Sequence, residues 1–112
     1  MGSNGTPMDV AFDTSSDWLA LEGSECKTCT GDVFDAGLST TSKQKTVKSA
    51  ERRYNEIVLT GSEWTDKVCL FDATTCVDDF RFFLIESQTF LKEPIDGFLG
   101  LGRSEPFVTG TY

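Results

Sequence analysis

Residues 10–21, VAFDTSSDWLAL, set an aspartate, a threonine and two serines at the end of an apolar run that resumes at once with Trp18, Leu19 and Leu21. The apolar segments on either side read as short strands, 9–13 and 18–21, and the polar residues fall in the loop between them. Taken alone, an aspartate ahead of Thr-Ser-Ser is an ordinary turn former or cap. What else Asp13 does has to be read from the rest of the chain.

Strand-forming residues recur throughout. Residues 54–60, 66–71 and 79–86 are runs rich in Val, Ile, Phe, Tyr, Trp and Leu, separated by Gly, Ser, Thr and Asp clusters. The pattern predicts an all-β fold. KVCLFDATTCVDDFRFFLIE, residues 67–86, reads as a hairpin turning at Asp72–Thr75, with Cys69 and Cys76 flanking the turn. The polar stretch 39–53, STTSKQKTVKSAERR, is a loop or an exposed strand, with a helix over 47–53 as the lesser alternative. PIDGFLGLG, residues 94–102, is apolar but broken by three glycines. That composition suits neither a good helix nor a simple strand and signals close approach of backbone to backbone. Trp18 and Trp64 are expected in core or rim packing.

The chain of 112 residues, 38% apolar, is sized for one domain with a modest core. Eighteen acidic against ten basic side chains give a net charge of −8, which repels a phosphate backbone and argues against nucleic acid as a partner. Half of the basic residues, Lys43, Lys45, Lys48, Arg52 and Arg53, cluster in one stretch that reads as a solvated face. No apolar run approaches the ~20 residues of a membrane-spanning helix. The N-terminal MGSNGTPM lacks the charge and apolar block of a signal peptide, and its Asn4-Gly5-Thr6 fits the N-glycosylation pattern. Histidine is absent, so no Ser-His or Cys-His nucleophile can be assembled within the chain.

The four cysteines fall into two close pairs, Cys26 with Cys29 and Cys69 with Cys76. An even count in a short chain points to two local disulfides and an oxidising compartment. A bridge from Cys69 to Cys76 would staple the hairpin turn. The alternatives are a four-thiolate zinc site, for which the seven-residue spacing of the second pair is wrong, and a redox C-x-x-C at Cys26-Lys27-Thr28-Cys29.

FDTSSDWLAL (12–21) resembles the FDTGS-x-W segment of the first lobe of pepsin-like aspartic proteases, and further matches follow in that family's order. They are GTP at 5–7, the cysteine pair at 26–29, FDAGLSTT at 34–41 and Tyr54 six residues before Thr60-Gly61. TDKVCL at 65–70 comes next, and PIDGFLGLGRS at 94–104 is similar to the family's DGILGL stretch. The resemblance spans nearly the whole chain. It implies a single lobe, residues 1–112 and incomplete at its C-terminal side, with a flap hairpin and a glycine-rich ψ-loop.

The same resemblance assigns roles. Asp13 would be a catalytic carboxylate, with Thr14, Ser15 and Ser16 supporting its loop: Thr14 toward a partner lobe, Ser16 by a hydrogen bond to the Asp13 carboxylate. Tyr54 would cover substrate from the flap, or, read only as a residue type, pack as a strand aromatic. Asp96, Gly97 and Gly100 would be structural, and the chemistry implies no metal and no cofactor. Cleaving a peptide without either requires one group to deprotonate water and another to protonate the carbonyl oxygen, work that two carboxylates sharing one proton perform.

Three departures shape the functional expectation. Only one Asp-Thr motif is present, since FDAG (34–37) and FDATT (71–75) have the wrong neighbours. Ser15 replaces the family's glycine, keeping the backbone amide but adding a side chain. The flap reads YNEIVLTG, without the usual glycine after the tyrosine. The leading expectation is therefore half of an aspartic endopeptidase acting on polypeptides. Its second acid would come from a C-terminal lobe, a heavy chain or a second copy, in the secretory pathway, a vacuole or lysosome, or outside the cell. The alternative is a catalytically impaired module kept for binding or assembly.

Overall fold

A computed structural model of the chain describes residues 1–14, 16–45, 50–54, 57–71, 74–89 and 95–102, of which 50–54 as backbone alone. Seven strands form one mixed sheet: β1 (Val10–Asp13), β2 (Leu19–Glu22), β3 (Lys43–Gln44), β4 (Ala50–Tyr54), β5 (Ile57–Cys69), β6 (Cys76–Thr89) and β7 (Gly97–Gly100). Among the described residues a single 3₁₀ turn, Ala36–Leu38, is capped by Asp35, whose side chain accepts from the Gly37 amide.

The strand order is β1-β7-β2-β6-β5-β3, with β4 also pairing β5. β5 and β6 make a long antiparallel hairpin, and register shifts at Thr60/Gly61 and Asp66/Val68 bend it. β2 runs parallel to β6, and β1 runs parallel to β7. β7, arriving late in the chain, slots between β1 and β2 and separates two strands that are neighbours in sequence. This is the ψ-shaped threading expected of a single pepsin-like lobe.

β2 and the Phe82–Ile85 stretch of β6 lie in the middle and are buried on both faces, which explains why LALE and FFLI are nearly continuous apolar runs. Trp18, Ala20, Phe83, Ile85, Leu59 and Cys26 pack on one face, and Leu19, Leu21, Phe82, Leu84, Phe34 and Ala36 on the other. The alternation follows the two-residue period of a strand. Phe34 meets Phe82 edge to face, with ring centroids 5.9 Å apart. Such a pair adds about 1 kcal/mol beyond the area it buries. Trp64 packs half-buried at the rim, while Trp18 is in the core.

Several strand boundaries differ from the sequence reading. The run 54–60 is not one strand: Tyr54 ends β4 and pairs with Ile57 at the start of β5, so the chain reverses within it. Apolar and β-branched content does not mark that reversal, because no glycine or proline punctuates it. Residues 66–69 of the run 66–71 are the end of the continuous β5 rather than a separate strand, Leu70 and Phe71 lie past it, and 79–86 is the middle of β6. The helix considered over 47–53 is a strand from Ala50 onward, held by pairing with β5; residues 46–49 lie outside the described residues. PIDGFLGLG does form a strand, β7, because β1 and β2 both supply hydrogen-bonding edges. Cys69 pairs with Cys76 across the hairpin as read, although Asp72 and Ala73 of its turn lie outside the described residues.

Candidate active site

β1 delivers Asp13 to its C-terminal end, in register with Gly100 of β7. On the other side of β7, Leu19 of β2 is in register with Leu99. The loop joining β1 to β2 must therefore cross the end of β7, and it is tied there by three successive amides. Gly100 donates to the Trp18 carbonyl, Leu101 to the Asp13 carbonyl and Gly102 to the Ser16 carbonyl, each at 2.7 Å. Asp13 is half-buried and Thr14 is exposed beside it.

The glycines make this approach feasible. A Cβ on Gly100 would fall 2.5 Å from the Trp18 amide nitrogen and 2.6 Å from the Ser16 carbonyl oxygen, and one on Gly97 would run into the Ala20 carbonyl. Any side chain at either position would push β7 away from β2 and the Asp13 loop. Asp96, just ahead of β7, is buried, and both of its carboxylate oxygens are taken: Oδ2 accepts from the Asp9 amide and Oδ1 from the Asp32 amide, each at 2.7 Å. Its own amide donates to the Asp9 carbonyl, and its carbonyl accepts from Glu22. Asp96 thus fixes the end of β7 remote from Asp13.

The other residues singled out in the sequence are placed as follows. Ser16 Oγ is buried and has no hydrogen-bond partner among the described residues. The bond from Ser16 to the Asp13 carboxylate is therefore not formed: the Ser16 backbone, rather than its side chain, anchors the loop. Ser15 lies outside the described residues. Tyr54 is the last residue of β4, at the tip of the β4–β5 hairpin, and its side chain is likewise outside the description. β1 and β4 stand toward opposite ends of the strand order. Asn4 of the glycosylation pattern is exposed, with Nδ2 donating to the Leu38 carbonyl at 2.9 Å.

All four cysteines are paired, Cys26 with Cys29 and Cys69 with Cys76, which leaves no thiolate for zinc. Among the described residues no cluster of three or more His, Cys, Asp or Glu is arranged to hold a metal ion. No described helix is long and apolar enough to cross a membrane. Lys43 and Lys45 are exposed, and Lys43 pairs with Asp79 at 3.4 Å in solvent.

A groove of about 690 Å³ runs along the sheet beside β1, walled by Val10, Phe12, Leu99, Leu70, Phe71 and Val77 among others. Strand alternation sends Asp13 to the face opposite Phe12, so the groove is not the site of Asp13 chemistry. Glu22 escaped the sequence reading. Burial pushes its carboxyl above the usual range, opposed by amides of Gly31 and Thr30 and reinforced by the charge of Asp96. The signal was present in LALEG, where an acid interrupts a strand whose every residue is buried.

A strand-borne aspartate, its crossing loop and a glycine-bearing strand threaded beneath it form one unit here, and the sequence carries that unit in the order found in pepsin-like enzymes. No curated protein matches the chain. A family model described as eukaryotic aspartyl protease matches residues 1–111, and the chain belongs to that family.

Proposed function

We propose that this chain is the N-terminal lobe, or light chain, of an aspartic endopeptidase in which Asp13 supplies one carboxylate of the catalytic dyad. The observation that carries the reading is the tie of the Asp13 loop to Gly100, Leu101 and Gly102, which holds a half-buried acid at a strand end with Thr14 exposed beside it. Preorganisation of this kind is what an acid-base pair requires. The second carboxylate comes from a C-terminal lobe, a heavy chain or a second copy. As in aspartic proteases generally, crowding two such acids makes one ionise as base while the other keeps its proton as acid.

Substrate in this reading is an extended polypeptide with apolar side chains next to the scissile bond, lying under the β4–β5 hairpin. Tyr54, at the tip of that hairpin, covers it and excludes water. The reaction so written uses no cofactor. Two disulfides fit the secretory pathway, a vacuole or lysosome, or the extracellular space as its location.

A second reading, a module retained for binding or assembly, is favoured by a specific observation: Ser16 Oγ has no partner among the described residues, so it does not orient Asp13. Ser15 and the glycine-poor hairpin point the same way. Native, nonreducing mass measurement of the material from its source separates the two. A partner carrying a second Asp-Thr-Gly or Asp-Ser-Gly, or a dimer of this chain, is expected for the endopeptidase. A lone monomer supports the binding module.

A further inference from the structure

The basic residues gathered between Lys43 and Arg53 belong to a segment that the fold lays along one edge of β5. Residues 39–53 hold five basic side chains and one acid, against five basic and seventeen acidic side chains in the rest of the chain. β3 sets Lys43 opposite Thr65 and Gln44 opposite Trp64, and the Lys45 amide donates to the Glu63 carbonyl at 2.8 Å. β4 follows on the same edge, with Arg52 opposite Leu59, Arg53 opposite Val58 and Tyr54 opposite Ile57. Lys43 and Lys45 are exposed.

Cross-strand neighbours share a face of a sheet, and so do positions two apart on one strand. Lys43, Lys45, Arg52 and Tyr54 all stand opposite odd-numbered residues of β5, so these four positions lie on one face. That face leads back to the candidate acid. Glu63 is in register with Phe83, Phe83 with Ala20, Ala20 with Phe98 and Phe98 with Ala11, two residues before Asp13 on β1. The acids beside the basic segment are engaged: Asp79 meets Lys43 at 3.4 Å, and Glu63 meets Arg81 at 3.8 Å. Lys45 has no ionic partner among the described residues.

We propose that this edge selects acidic polypeptides, its cations pairing with glutamate or aspartate side chains of an extended peptide that runs on past Tyr54. The inference rests on reading the β4–β5 hairpin as the cover of the substrate. A strand advances about 3.4 Å per residue, so Arg52 precedes Tyr54 by about 7 Å, the span of two residues in an extended peptide lying alongside. Apolar side chains then sit at the scissile bond, and acidic ones about two residues or more to one side of it. The net charge of −8 repels such a peptide from most of the surface, which makes the basic edge the place where it is held. Charge complementarity of this kind supplies specificity and steering more than raw affinity, and salt screens it.

The test is fluorescence anisotropy of the full chain with two labelled peptides that share an apolar centre, one flanked by glutamates and the other by glutamines. It is run at about pH 5.5, where the glutamates are ionised. In low salt the glutamate peptide should bind on the order of tenfold tighter, the product of a few exposed ion pairs, and the preference should fade at about 0.3 M salt. Lys45→Gln and Arg52→Gln should each cut the preference by a factor of about 2–3. Equal binding of the two peptides, binding of neither, or a preference that both substitutions leave intact would overturn the proposal. The wild-type comparison decides the matter even where a variant does not fold. Binding needs no second acid, so a failed endopeptidase reading shows in cleavage by the Asp13→Asn variant, and a failed basic edge shows here.

Discussion

Leu101 donates its amide to the Asp13 carbonyl at 2.7 Å, so the residue just past β7 fixes the last residue of β1 across nearly ninety positions of sequence. The geometry of the candidate acid is set by a strand far from it in the chain. Substitutions in β7 should consequently be felt at Asp13.

Gly100→Ala is the sharpest case. Its Cβ would meet the Trp18 nitrogen and Ser16 oxygen well inside van der Waals contact, and both are backbone atoms that cannot rotate away. We expect a loss of about 1–3 kcal/mol in denaturant unfolding, the usual penalty for overpacking. In an assembled enzyme the displaced loop should lower peptide cleavage on the order of 10²-fold, mainly in kcat.

Asp96→Asn tests the other end of β7. Both carboxylate oxygens accept from backbone amides, and an amide side chain would turn its NH₂ toward one of those donors. Leaving a buried amide unsatisfied costs about 1–3 kcal/mol, so urea unfolding should show a loss of that order. Asp32, exposed on its loop, offers a control: Asp32→Asn should change stability by less than about 0.5 kcal/mol.

Removing the Cys69–Cys76 bridge by a double serine substitution should cost about 2 kcal/mol. The cross-link closes a short loop, and loop-closure entropy grows only slowly with length. Thermal unfolding under nonreducing conditions reads this out. Treating the wild type with a reductant should produce a larger decrease, because it opens the Cys26–Cys29 bridge as well.

Much of the fold was legible in the sequence because its signals are local. The hairpin around Asp72–Thr75 announced itself by two apolar runs and flanking cysteines, and the Asp13 loop by an abrupt polar insertion between strands. The reversal after Tyr54 was hidden, since a turn without glycine or proline leaves the apolar pattern unbroken. β7 was half-legible: the glycines of PIDGFLGLG told of close backbone approach, but its identity as a strand depends on edges offered by β1 and β2, which lie far away in sequence. The partnerless Ser16 hydroxyl and the convergence of Glu22 on Asp96 are tertiary facts. Sequence could flag only that a glutamate stood in a buried strand.

The central claim is that Asp13 is half of a working dyad, and its most direct test is peptide cleavage at acid pH by the native assembly and by its Asp13→Asn variant, with a statine-type transition-state mimic as inhibitor. The account predicts that the mimic blocks the native assembly, and that the variant folds with an unchanged melting temperature yet loses activity on the order of 10³-fold or more. Cleavage by the variant at the native rate would contradict it.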